Sequence, residues 1–198
     1  MEEFWLKQWG DTTLPVLDNM IKQGLCEPLI VVTPTYYSRV EEHPLGDAEA
    51  EALAEKLNDP YIGKEGGDGE REQNIWPEYF GQELRNNIIP AVESQYLTYA
   101  NKDVSEENLI ATRDHRGFAG LSRGAMTVAR SGLTQNTDII SWFGSYSGVW
   151  ADFDRFKNAM ENEFKDYNVN FWYNGNGKGD FALENHEEFR DKTLDELS

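Results

Sequence analysis

Gly120-Leu121-Ser122-Arg123-Gly124 closes the apolar run Leu109 to Leu121, and the helix-like Ala125-Met126-Thr127-Val128-Ala129-Arg130 follows it. A G-x-S-x-G between a strand-like run and a helix-like run reads as a nucleophile elbow. Such a turn holds a serine between strand and helix, with its hydroxyl pushed out at the C-terminal edge of a sheet. The two glycines leave room for the backbones that crowd there. The helix after the turn aims its first N–H groups and positive dipole end at the same spot, where negative charge develops on a carbonyl under attack. Five residues of pattern are a weak signal alone, so the rest of the chain has to agree with it.

Apolar, β-branched runs bounded by turn residues lie at Pro28 to Thr35, Asn108 to Leu121, Asp138 to Ser145 and Val169 to Tyr173, and each predicts a strand. Helical periodicity fills the spaces between them. From Phe80 to Ala100, the residues Phe80, Leu84, Ile88, Val92 and Tyr96 recur every four positions and predict one face of a helix, bent by Pro90. Val16 to Gln23 predicts a shorter helix ended by Gly24. Ala48 to Leu57 predicts another, opened by Asp47 as N-cap and stopped near Pro60. Strands alternating with helices imply an α/β fold, a mainly parallel sheet with helices on both faces. Gly63 to Glu72 reads as a solvated loop or flap. At 198 residues the chain is expected to form one domain.

Asp and Glu total 36 against 18 Lys and Arg, and the net charge of −18 disfavours nucleic acid and anionic membrane as partners. Solubility is the plainer explanation of that charge. The single cysteine, Cys26, excludes an internal disulfide framework and a cysteine-based zinc site, and packing is its expected role. No run reaches the ~18 apolar residues of a membrane span. Met1-Glu2-Glu3-Phe4-Trp5 lacks the basic start of a signal peptide.

In an open α/β sheet the ligand site lies beyond the C-terminal ends of the strands. The stretches to inspect are therefore Thr35-Tyr36-Tyr37, Ser122, Ser145-Tyr146-Ser147-Gly148 and Asn174 to Asp180. Ester hydrolysis by serine needs a nucleophile, an imidazole, a carboxylate to orient the imidazole, and oxyanion donors. Ser122 fills the first role. Asp180 follows it in sequence behind Gly175, Gly177 and Gly179, where a flexible turn would bring it beside the elbow. The other reading of Asp180 is a turn residue capping the segment from Phe181. Asp152 and Asp154 look like an N-cap for the segment from Phe153. The histidines are His43, His115 and His186. His43 lies in a polar loop and His115 within the nucleophile strand as a structural residue; His186 follows Asp180 but rides on the next helix. Asn174-Gly175-Asn176-Gly177-Lys178-Gly179-Asp180 has neither the ending of a phosphate loop nor the ligand spacing of a calcium loop, and reads as a turn. No metal and no cofactor are expected. Tyr36, Tyr37, Trp76, Tyr79 and Phe80 would suit a pocket for an aromatic or sugar ring, or simply the core.

Several longer motifs carry a family resemblance. They are Glu27-Pro28-Leu29-Ile30-Val31-Val32-Thr33-Pro34-Thr35, Glu83-Leu84-Arg85-Asn86 with Ile89-Pro90-Ala91-Val92-Glu93, and Arg113-Asp114-His115-Arg116-Gly117-Phe118-Ala119-Gly120-Leu121-Ser122. With Ser145 to Trp150 and Gly177-Lys178-Gly179-Asp180-Phe181-Ala182, they resemble the esterase D-like carbohydrate esterases of family 1. These are the feruloyl and acetylxylan esterases found beside xylanases, of the α/β-hydrolase superfamily. The resemblance implies Ser122 as nucleophile, Asp180 as triad acid and the backbone N–H of Arg123 as an oxyanion donor. The family more often has Met where this chain has Arg123. It also carries a His-Gly-Gly type loop upstream and a catalytic histidine in a Gly-His stretch after one more strand, and this chain has neither. The expectation is a single partial domain spanning 1–198, truncated at both ends, with early strands and the last strand absent from its sheet.

The function so implied is that of a serine carboxylester hydrolase. It would remove feruloyl or acetyl groups from plant cell-wall polysaccharide or from small esters, outside the cell, through an acyl-serine intermediate. Thioesters are a third substrate class. A chain without its histidine base is expected to be poorly active, and the alternative is a non-catalytic, α/β-hydrolase-like carbohydrate-binding protein.

Overall fold

Strands β1 (Gly117–Leu121), β2 (Trp142–Tyr146) and β3 (Phe171–Gly175) pair in parallel, in the order β1-β2-β3, in a computed structural model describing residues 2–34 and 80–197. The register sets Leu121 beside Tyr146 and Tyr146 beside Gly175, so all three strands end level. The parallel α/β sheet expected from the sequence is present, with strands shorter than the apolar runs. Asn108 to Ala111 belong to a helix and Arg113–His115 to a 3₁₀ turn, which leaves Gly117–Leu121 as the strand. Glu106 and Glu107 in the first turn of that helix favour its positive end, and Leu109, 2% exposed, is its anchor in the core. Asp138 to Ile140 form turns closed on the Asn136 carbonyl before β2 begins.

The chain divides into two units, Met1–Thr35 and Tyr36–Ser198. In the first, helix α1 spans Glu2–Lys22 with Pro15 inside it, longer than the predicted Val16 to Gln23. Gly24 stops it as expected, at φ 69°. The Gly24 N–H bonds the Ile21 carbonyl at 3.0 Å and the Leu25 N–H the Met20 carbonyl at 2.9 Å, the paired bonds of a Schellman end. The predicted strand from Pro28 is not formed: residues 28–34 join no ladder among the described residues, and Leu29 and Ile30 are 57% and 49% exposed. β-Branched side chains favour a strand only where a partner pairs with it. Thr35, the Ala48 to Leu57 helix with its Asp47 cap, the Gly63 to Glu72 loop and His43 lie outside the described residues.

In the second unit, α2 covers residues 80–95, α3 Glu106–Ala111, α4 Arg123–Thr127, α5 Phe153–Asn158 and α6 Leu183–Leu197. α4 continues as a π-helical turn at Val128–Leu133, and α5 does so at Ala159–Glu163. Asp152 caps α5 as predicted, its carboxylate accepting the Arg155 N–H at 2.8 Å. α2 departs from its predicted face. It buries Phe80, Leu84, Ile89 and Glu93, where the period of four gave Ile88, Val92 and an inward Tyr96. The cause is a π turn at Leu84–Ile88, whose extra residue rotates everything beyond it by one position. It stands directly before Pro90, which has no N–H to give the carbonyl four residues back, so a widened turn there costs least.

Phe118, Phe143 and Trp172 share one sheet face and pack with Val128, Leu133, Phe156 and Phe189 from α4, α5 and α6. Each fully buried apolar side chain of this size contributes roughly 1.5–3 kcal/mol. The opposite face carries Trp142 with Phe171 and Tyr146 with Tyr173, ring centroids 6.1 and 5.3 Å apart and all four rings exposed.

Arg116, buried at the entry to β1, ties these parts together. Its Nε and Nη2 donate to both oxygens of the buried Glu93 carboxylate at 2.9 and 2.6 Å. Nη1 donates to the carbonyls of Leu109 and Ile139, and Nη2 also to Thr112 Oγ1. All five guanidinium N–H groups are thus engaged. Removing one partner of such a pair strands the other charge in the core. Glu93→Ala is therefore expected to cost ~3–5 kcal/mol of unfolding free energy in urea titration, with part recovered in Glu93→Met/Arg116→Met.

Candidate active site

Ser122 stands between the last residue of β1 and the first of α4 at φ 57°, ψ −113°. Left-handed backbone at a serine costs ~1–3 kcal/mol and persists only where the surroundings hold it. Two bonds hold this one: the Ser122 N–H donates to the Tyr146 carbonyl at 2.8 Å, and its own carbonyl accepts from Met126 N–H at 3.1 Å. The turn is tight because Gly120 lies against Gly124, where a Cβ on Gly120 would fall 2.3 Å from the Gly124 carbonyl carbon. The two glycines are not equivalent, for a Cβ on Gly124 would meet nothing within 4 Å. Ser122 is half-buried, and its hydroxyl has no hydrogen-bond partner among the described residues.

Arg123 is the first residue of α4, so its backbone N–H sits at the helix position that has no intrahelical carbonyl. Asp180 lies in the turn after β3, on the same sheet edge as Ser122. One of its oxygens accepts the Ala182 N–H at 2.9 Å, and its carbonyl accepts the Leu183 N–H at 3.1 Å, so it also caps the segment from Phe181. The capping reading of Asp180 is thus present in the structure. Two strand spacings, about 10 Å, separate the ends of β1 and β3, a distance that an imidazole between hydroxyl and carboxylate would help to span.

Neither described histidine is bonded to Ser122 or Asp180. His186 rides on α6 as predicted, 8% exposed, and its Nδ1 lies 2.9 Å from the Asn174 amide oxygen. That oxygen only accepts, so Nδ1 carries the proton. His115 is corrected from strand to 3₁₀ turn; it is exposed and stacked on Tyr99, centroids 3.4 Å apart. It sits at the start of β1, on the order of 20 Å along the strand from Ser122. Tyr36, Tyr37, Trp76 and Tyr79 lie outside the described residues, and Phe80 is core, 4% exposed. Asn174 and Gly175 close β3, so the turn read over Asn174 to Asp180 begins at Asn176, and no metal-holding group of three His, Cys, Asp or Glu occurs among the described residues.

Sequence reading singled out Ser145 to Gly148 as a stretch to inspect and Ser145 to Trp150 as a motif, but gave the loop after β2 no role. Ser147, Gly148 and Trp150 have φ of 68°, 91° and 53°, and the Trp150 ring stacks on Phe181 at 6.2 Å, beside Asp180. Asn176 and Asn185 hold this loop by side-chain bonds. A glycine followed by a tryptophan is a faint signal, and asparagines nine residues apart in sequence are none.

Level parallel strands, a strained serine between strand and helix, and an acid beyond the third strand define an α/β-hydrolase fold. Comparison with known proteins agrees. The chain covers 88% of itself and 52% of a serine-to-alanine mutant of the feruloyl esterase module from Clostridium thermocellum complexed with sinapinate, at TM-score 0.60 and 27% identity. A structure of FAE matches at TM-score 0.61, 27% identity and 89% and 52% of the two chains. In sequence, 133 residues are 33% identical to endo-1,4-beta-xylanase Y of Acetivibrio thermocellus, covering 67% of this chain and 9% of that protein. No family model matches. These matches accord with the resemblance of the chain's motifs to the family 1 carbohydrate esterases. It spans about half the length of the solved structures it matches.

The two glycines of the elbow separate cleanly by experiment. Gly120→Ala is expected to lower stability by roughly 1–3 kcal/mol or more, since backbone must move. Gly124→Ala is expected to be neutral or to stabilise by up to ~1 kcal/mol, both read by urea denaturation.

Proposed function

We propose that this chain is the nucleophile-bearing part of a serine carboxylester hydrolase acting on feruloyl, and secondarily acetyl, groups of plant cell-wall polysaccharide. The supporting observation is Ser122, at φ 57° on the strand-to-helix turn, sharing one sheet edge with Asp180. Ser122 Oγ attacks the ester carbonyl as its proton passes to a base, and the N–H of Arg123 meets the oxyanion. The alcohol of the sugar leaves with that proton. Water then attacks the acyl-serine, releases the carboxylic acid and returns the proton to Ser122. Asp180 orients the base. The stacking of His115 on Tyr99 and the bond of His186 to Asn174 speak against either of these rings as the base. The relatives' association with xylanase and feruloyl esterase supports the substrate class and an extracellular place of work. We place residues 1–198 in one partial esterase domain. A non-catalytic carbohydrate-binding protein is the second reading, favoured by His186 being tied to Asn174.

Supplying the base in solution tests this. Without additive, methyl ferulate hydrolysis by the chain is expected to be poor. Added imidazole is expected to raise it roughly tenfold or more above a Ser122→Ala control in the same buffer, as general-base catalysis contributes 10²–10⁴-fold in place. Equal rates for both proteins at every imidazole concentration would favour the binding reading, which titration with a feruloylated xylo-oligosaccharide would then examine.

A further inference from the structure

We propose that Asn176 and Asn185 are positioning residues, a polar clasp that fixes the loop carrying Asp180 against the loop that follows β2. The catalytic side of this inference rests on the esterase reading above; the clasp itself rests on geometry. Four successive backbone N–H groups, Ser147 to Trp150, all donate into the segment 175–185. Ser147 reaches the Gly175 carbonyl at 3.1 Å, Gly148 reaches Asn176 Oδ1 at 2.7 Å, and Val149 and Trp150 both reach Asn185 Oδ1 at 3.0 Å. Donors that run outward in sequence need an unusual backbone, and Ser147, Gly148 and Trp150 are left-handed to provide it. Gly148 is obligatory here, because a Cβ would lie 2.2 Å from Trp150 Nε1.

The clasp brackets Asp180. Asn176 is four positions before it and Asn185 five after it, on the first turns of α6. Within the bracket the Asp180 N–H bonds the Gly177 carbonyl at 3.0 Å and its carboxylate receives the Ala182 N–H. Next to Asn185, His186 bonds Asn174 at the end of β3, so the start of α6 is anchored to the strand as well. The loop between is glycine-rich, with Gly177 and Gly179 exposed, and would otherwise be free to move. At both positions the asparagine oxygen accepts N–H bonds without bringing a second carboxylate near the one that must orient a base, while Asn176 Nδ2 is buried with no hydrogen-bond partner among the described residues.

The test uses the 198-residue chain with Asn185→Leu, which keeps side-chain bulk without an acceptor, and Asn185→Asp, which keeps the acceptor. Amide hydrogen exchange is the first readout. In Asn185→Leu, protection at Val149 and Trp150 and also at Asp180 and Ala182 is expected to fall roughly tenfold or more, with Asn185→Asp restoring it. The second readout is methyl ferulate hydrolysis in imidazole, where Asn185→Leu is expected to lower kcat ~10–100-fold with KM little changed and Asn185→Asp to recover part of it. Loss of protection confined to Val149 and Trp150, with Asp180 and Ala182 unchanged, would overturn the proposal. So would unaltered kcat in an Asn185→Leu protein whose Asp180 loop has lost protection. If Asn185→Leu does not fold, Asn176→Leu takes its place with the same readouts. A wild-type chain with no serine-dependent hydrolysis would defeat the esterase reading, and the exchange comparison alone would then decide the clasp.

Discussion

The bidentate pair of Arg116 with Glu93 is the constraint on which the sheet's construction depends. Arg116 is the residue before β1, and its backbone carbonyl accepts the first N–H groups of the neighbouring strand, from Ser141 and Trp142. Its guanidinium meanwhile binds α2, the last turn of α3 and the turn ahead of β2. One residue thus sets the β1–β2 register at its start and fixes what packs around it. An apolar pair could replace the two charges but not the bonds that Arg116 gives to the Leu109 and Ile139 carbonyls. What the ion pair adds is direction: five donors in a rigid fork are met only by acceptors arriving from set positions.

A second arginine extends the arrangement to the third strand. Arg113 donates to the Thr137 and Asn168 carbonyls at 2.8 and 2.7 Å, linking the turns that lead into β2 and β3. Asn170 and Phe171 N–H groups then bond the Ser141 carbonyl, which starts the β2–β3 ladder. Because these entries are fixed, all three strands run out level, and Ser122, Ser147 and Asn176 emerge side by side. The strained elbow is held at one end of a strand whose other end cannot slide.

What the sequence made legible is what short stretches of chain decide. The Gly120 to Gly124 strand-to-helix turn, the Gly24 stop of α1 and the Asp152 cap of α5 are where they were read, and the turn read over Asn174 to Asp180 is there from Asn176 onward. Strand ends were not legible, because Asn108 to Ala111 can be helix as readily as strand until Arg116 pins the entry to β1. The inward face of α2 was missed beyond Leu84, since a single π turn before Pro90 exchanges Ile88 and Val92 for Ile89 and Glu93. Glu93 is a charged residue in a predicted solvent position, and only its distant partner explains its burial. The same holds at the site. Ser122 and Asp180 are visible from local glycine patterns, whereas Asn176 and Asn185 acquire meaning from N–H groups about 28 and 36 residues earlier in the chain.

The two edges of this sheet solve one problem with opposite chemistry. At the entry edge, carbonyls of incoming turns need donors, and Arg113 and Arg116 supply them with positive charge. At the exit edge, N–H groups of outgoing loops need acceptors, and neutral asparagine oxygens with a backbone carbonyl supply them. In a chain of net charge −18, aspartates would have been the obvious acceptors. On the proposed esterase reading, carboxylates in those places would raise the cost of negative charge developing at Ser122, where N–H dipoles would stabilise the oxyanion. A neutral clasp gives the loops their shape while leaving Asp180 as the negative charge in the turn after β3, which is the arrangement the proposed esterase would need for its acid to act on a base and not against an oxyanion.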